Sequence, residues 1–309
     1  MATYSTEKGF TIQSLASDPV ASIVHGGTWA SSNNLNTGRR QLGSAKNGTQ
    51  DATLAFGGYT TTWVANTESY DGTSWGVENG LTTARYEGTG SGTQTAAVAI
   101  GGYDGSIRAY TEKWDGTSWT EAGDLNTPRI DLNAGGTQTS SLAFGGATPS
   151  ITDENESWNG TSWSEEADLN VGKKFLGGAA ASETAALAFG GAPGYLATTE
   201  KWNGTSWTEV GDLNTARQNG ASYGTYTAAI FAGGNTGSDA ANTEGYDGTA
   251  WSELNDLGTA MSQNAGAGAT TSGIAFGGTP TVATTEEFTA PATVSVAQEG
   301  QVWYNTTST

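Results

Sequence analysis

Five times, in steps of 44 residues, the chain repeats an aromatic–x–Gly–Thr–x–Trp element, starting at Tyr70, Trp114, Trp158, Trp202 and Tyr246. Two further markers keep nearly the same step. A Gly-Gly pair closes an apolar run at 57–58, 101–102, 145–146, 190–191, 233–234 and 277–278. A Leu followed by Asn or a small residue stands at Leu35, Leu81, Leu125, Leu169, Leu213 and Leu257. A period of this size constrains the fold more than any composition does. One such unit cannot bury its apolar face alone, so the units must stack or close into a ring.

Each unit holds four short β-prone runs and no helical period. In 220–254, the Gly-rich "GASYG" is followed by the apolar "TAAIFAGG", then by the alternating "TEGYDG" and "TAWSEL" around an Asp-Gly turn. Four strands per 40–50 residues is the pattern of a β-propeller blade. The first repeat material, "GGTWASSNNLNTGR" at 26–39, matches only the last strand of a unit, and the last unit ends at "TEEFTA" without its Trp strand. The chain is therefore expected to be all-β, a six-bladed propeller of four strands per blade. An N-terminal strand around Trp29 should complete the C-terminal blade and remove its open edge. The expected organisation is a flank at 1–25, the propeller at 26–289 and a second flank at 290–309. Gly/Ala-rich innermost strands such as 88–92, 177–182 and 265–269 suit six strands crowded at the axis. The paired aromatics, such as Trp114 with Trp119, are expected across a hairpin and between blades.

Acidic residues outnumber basic ones 31 to 12, a net charge of −19, which disfavours nucleic acid or membrane as a partner. No apolar run is long enough to span a bilayer. The N-terminal segment lacks the basic start and apolar run of a signal peptide. With no Cys and one His, His25, the usual transition-metal and thiol chemistries lack their ligands, so no cofactor or metal is expected beyond an oxygen-ligated Ca²⁺.

The order of Gly-Gly, aromatic–Asp/Asn, Trp and Leu-x-x-x-Arg resembles kelch repeats over about 26–289, with Met261 replacing the basic residue in the last unit. That resemblance implies a propeller. The flanks "KGFTIQSLASDPVAS" and "AQEGQVWYNTTST", together with the "WDGTSW…LNTAR…LAFGG" wording, resemble segments of structural proteins of marine tailed bacteriophages. This implies a virion protein, attached to other virion proteins through its termini and released by lysis.

Chemistry-bearing residues fall into two groups. Glu68, Glu112, Glu156, Glu200, Glu244 and Glu286 precede the first aromatic by two, and Arg39, Arg85, Arg129, Lys173 and Arg217 follow the Leu by four. Sixfold repetition points to structural pairs, since catalysis needs one asymmetric constellation. The other group sits in the variable connections after each Gly-Gly, which strand order places at one end with the Leu-x-x-x-Arg connections. Tyr59, Trp63, Tyr103, Arg108, Tyr110 and Tyr195 are the aromatic and cationic exceptions there. Such residues suit stacking on sugars or anchoring a protein. The expected function is a non-enzymatic module on a phage particle, a tail or head fibre component, recognising a host glycan or envelope protein. The alternatives are a decoration protein without host binding and, with least support, a glycan-processing enzyme.

Overall fold

The computed structural model describes residues 26–291. The flanks expected at 1–25 and 290–309, with His25, lie outside the described residues save for Ala290 and Pro291. Twenty-four strands, β1 to β24 in chain order, form six four-stranded antiparallel sheets among the described residues. One blade comprises β6 (Thr89–Thr93), β7 (Ala96–Ile100), β8 (Thr111–Trp114) and β9 (Trp119–Glu121). Four more follow the same order over 43–78, 133–165, 177–210 and 221–253. The sixth is composite. β22 (Ala265–Ala269), β23 (Ser272–Phe276) and β24 (Thr285–Thr289) are joined by β1 (Thr28–Ser31), with Trp29 opposite Phe288. The expected closure is present.

The repeated residues have repeated jobs. In the outer hairpin the Asp115 carboxylate accepts the Thr117 and Ser118 amides, both at 2.8 Å, and Gly116 takes φ 94°. Those hydrogen bonds hold Asp115 below its ordinary carboxylate value. The turn sets Trp114 opposite Trp119, ring centroids 5.3 Å apart. Trp119 then reaches the preceding blade: its ring meets Phe56 edge-on at 4.9 Å, and its Nε1–H donates to Thr67 Oγ1 at 2.9 Å. Equivalent tryptophans bond Thr111, Thr199, Thr285 and, for Trp29, Thr243. Inter-blade aromatic packing thus follows the sequence expectation.

The Gly-Gly pairs are needed for their backbone. Gly145 takes φ 64°, and a Cβ there would lie 2.5 Å from the Lys173 carbonyl oxygen. Gly145→Ala is expected to cost about 1–3 kcal/mol, the scale of left-handed strain at a non-glycine residue. An unchanged urea midpoint would show that the junction relaxes freely.

A second ring lies at the axis. Gln41, Glu87, Asp131, Phe175, Asn219 and Gln263, each just before an innermost strand, all have φ of 50–60°. Each donates its amide to the carbonyl of the corresponding residue in the preceding blade, at 2.7–3.1 Å, so six hydrogen bonds form a closed belt.

Candidate functional site at the variable-loop end

Strands run alternately toward and away from this end, so the loops after each Gly-Gly meet the connections that enter each blade. The residue after the basic position pairs with the residue after Gly-Gly: Arg40 with Tyr59, Tyr86 with Tyr103, Ile130 with Ala147, Lys174 with Ala192 and Gln218 with Asn235. Both partners vary from blade to blade, so one rigid backbone bridge presents a different side-chain pair each time.

In the first two blades those pairs are Arg40–Tyr59 and Tyr86–Tyr103, so three of the four side chains are aromatic. Tyr86 lies against Tyr59 at 5.4 Å and Tyr103 at 5.7 Å, and the Trp63 ring is parallel to Tyr86 at 6.4 Å and edge-on to Tyr103 at 6.2 Å. Four rings therefore form one cluster, with the Arg40 guanidinium 5.1 Å from the Tyr59 ring centre. Trp63 remains 38% exposed. Burial, then the neighbouring Glu87, raises the Tyr86 hydroxyl above its ordinary value.

The sequence-derived residues divide. Tyr59, Trp63 and Tyr103 come together. Arg108 and Tyr110 pair within the second blade's loop, guanidinium to ring centre 5.2 Å, and Asp104 engages Arg108 at 2.6 Å and holds it above its ordinary value. Tyr195, 44% exposed, sits on the fourth blade, across the ring from the first, and does not join the cluster. Tyr86 and Arg40 were missed by sequence reasoning. Their signal was the variability of the position after the basic residue.

The repeated acid–base pairs are structural. Glu68–Arg39, Glu112–Arg85 and Glu244–Arg217 are in direct contact, and Glu156–Arg129 and Glu200–Lys173 stand at 2.9 Å, all buried. Each ties the connection arriving from one blade to the third strand of the next. Burial pulls the Arg39, Arg129 and Arg217 guanidinium groups down, opposed by their glutamates. In the last blade Glu286 accepts the Gly258 and Thr259 amides at 2.7 and 2.9 Å, beside Met261.

Among the described residues no group of three or more His, Cys, Asp and Glu is placed to hold a metal ion. No protein-family model matches the chain, and no curated protein matches it significantly.

Proposed function

We propose that the propeller is a non-enzymatic binding module of a phage particle, presenting its variable-loop end to a host-surface glycan or envelope protein. The observation that carries this is the ring cluster. Tyr59, Trp63, Tyr86 and Tyr103 belong to no blade consensus, yet they gather at one place with Trp63 open to solvent. Rigid rings with exposed faces bind sugar C–H surfaces and partner side chains at little entropic cost. The kelch-like order and the phage-like wording of repeats and flanks support the virion setting, with attachment through the termini. Pairing of the repeated acids and bases supports a non-catalytic role.

Trp63→Ala and Tyr103→Ala are expected to weaken binding by ~2 kcal/mol each, about thirtyfold in affinity. The measurement is retention on immobilised bacterial surface polysaccharides and on whole cell envelopes, with melting followed in parallel. Wild-type retention by both folded variants would favour the decoration protein instead.

A further inference from the structure

The first blade breaks the repeat at the axis. Its innermost strand, β2 (Gly43–Ser44), has two residues, where the others have five or six. The sequence then places Lys46 and Asn47 where the other blades carry Gly, Ala or Thr. Asn47 crosses the channel: its Nδ2 donates to Ala180 O at 2.7 Å, its Oδ1 accepts the Gly136 amide at 3.1 Å, and its own amide donates to Gly92 O at 3.0 Å. Gly268 donates to Lys46 O at 3.3 Å. One segment of one blade thus bonds to four others and closes the channel.

Lys46 forms the floor of what remains. Its Nζ donates to Asn133 Oδ1 at 2.5 Å and lies 3.5 Å from Ser222 Oγ. It makes no ion pair among the described residues. Protein surrounds the side chain, yet part of its surface stays accessible, as expected on a cavity floor. The cavity above it has a volume of ≈ 90 Å³, and all six residues of the axial belt line it. Asn264, only 8% exposed, lines the wall, and neither its Oδ1 nor its Nδ2 has a partner among the described residues. Gln263 Oε1 beside it is likewise without a partner among the described residues. A buried amide left unmatched on both atoms is costly unless a ligand or water engages it.

These groups define a recognition pattern. The Lys46 ammonium and the Asn264 Nδ2–H are donors for an anionic oxygen. Asn264 Oδ1 and Gln263 Oε1 are acceptors for an adjacent hydroxyl. At the rim the Phe175 ring offers an apolar face, with Lys174 Nζ 4.5 Å from its centre. The volume is below the ~150 Å³ that holds a benzene, so it admits a carboxylate and its neighbouring carbon while the rest of a ligand stays at the mouth. We propose that the axial pocket binds the carboxylate edge of a hydroxy acid, such as a uronic acid unit, with Lys46 on the carboxylate and Asn264 bridging carboxylate and hydroxyl. This site is separate from the aromatic cluster and stands or falls independently of it.

Its pH dependence follows from the groups that face it. Burial without a counter-charge lowers Lys46 to about 7. Burial and then Glu87 push Asp131 up to about 8, opposed by Lys174 at 3.7 Å, and burial raises Glu87, opposed by its hydrogen bond from Gln41. As pH rises, Lys46 loses its charge while Glu87 and Asp131 gain theirs. Both changes weaken anion binding. A bound carboxylate stabilises the ammonium, so above neutrality binding takes up a proton.

Calorimetric titration of the full chain with galacturonate, glycolate and galactose is the test. Galacturonate should bind, galactose should not, and affinity should fall between about pH 6 and about pH 9 with buffer-dependent heats that report proton uptake. Lys46→Met should weaken binding about tenfold or more, the loss of a charge-assisted hydrogen bond. Asn264→Leu removes no protein hydrogen bond, so it should keep the parent melting temperature and still lose binding. Trp63→Ala should bind galacturonate like the parent. Glycolate binding as tight as galacturonate would assign the pocket to free hydroxy acids, and galacturonate binding alone to sugar acids. No binding of either acid, equal binding of galactose, or full affinity in folded Asn264→Leu overturns the proposal, and retention dependent on Trp63 would survive that result.

Discussion

A chain that begins at Leu35 is expected to lose the whole propeller, not only its sixth blade. β1 supplies the outermost strand there, pairing from Thr28–Thr289 to Ser31–Glu286. Trp29 lies 5.2 Å from Phe288, which is fully buried, and reaches the fifth blade through Thr243. Ser32 contacts Tyr70 Oη of the first blade at 2.5 Å, so the same segment also fastens the ring's other side. Trp29 is partly buried, so losing its contact costs less than the ~3–5 kcal/mol of an aromatic-to-Ala change in a core, and each lost ladder hydrogen bond adds about 0.5–1.5 kcal/mol. The sum rivals the ~5–15 kcal/mol that typically holds a domain folded. An open array would lose stability locally, but here the axial belt couples every blade to the next, and Trp–Thr bonds reinforce five of the six junctions. Thermal unfolding of residues 35–309 should therefore show a far lower transition, or none. A cooperative transition at the parent temperature would mean that the ring does not depend on its seam.

What was legible in the sequence was whatever is repeated. The 44-residue step, the Glu–Arg pairs and the Trp29 closure could be read because six near-copies make each role visible several times over. The asymmetric features were harder. Tyr86 follows Arg85 at a variable position, and only the bridge to Tyr103 shows that its ring joins Trp63. Lys46 and Asn47 did leave a trace, as the one innermost segment carrying a long cation, but their reach across the axis depends on a strand ending at least three residues early. The left-handed belt residues share no side-chain type, since their common property is backbone direction. Tyr195 could have been set apart by blade order alone, because the fourth blade faces the first.

Among single substitutions, Glu156→Ala is expected to be one of the most damaging. It removes the carboxylate that holds Arg129 at 2.9 Å and accepts the Asn126 amide at 2.7 Å, leaving a guanidinium with 0% exposure and only carbonyl partners. Breaking a buried pair in this way costs roughly 3–5 kcal/mol. Arg129→Met should cost less, because the molecule already contains that arrangement. At Met261, itself 0% exposed, the apolar side chain fills the cationic position while Glu286 rests on two backbone amides. The carboxylate can thus be carried by N–H groups that the connection supplies in any case. Backbone carbonyls hold the guanidinium in place without neutralising its charge. Urea unfolding at constant m-value should rank the variants, Glu156→Ala well below Arg129→Met. The reverse order would mean that the arginine's contacts to Gly145, Glu154 and Ala143, rather than its charge partner, fasten the connection to the blade.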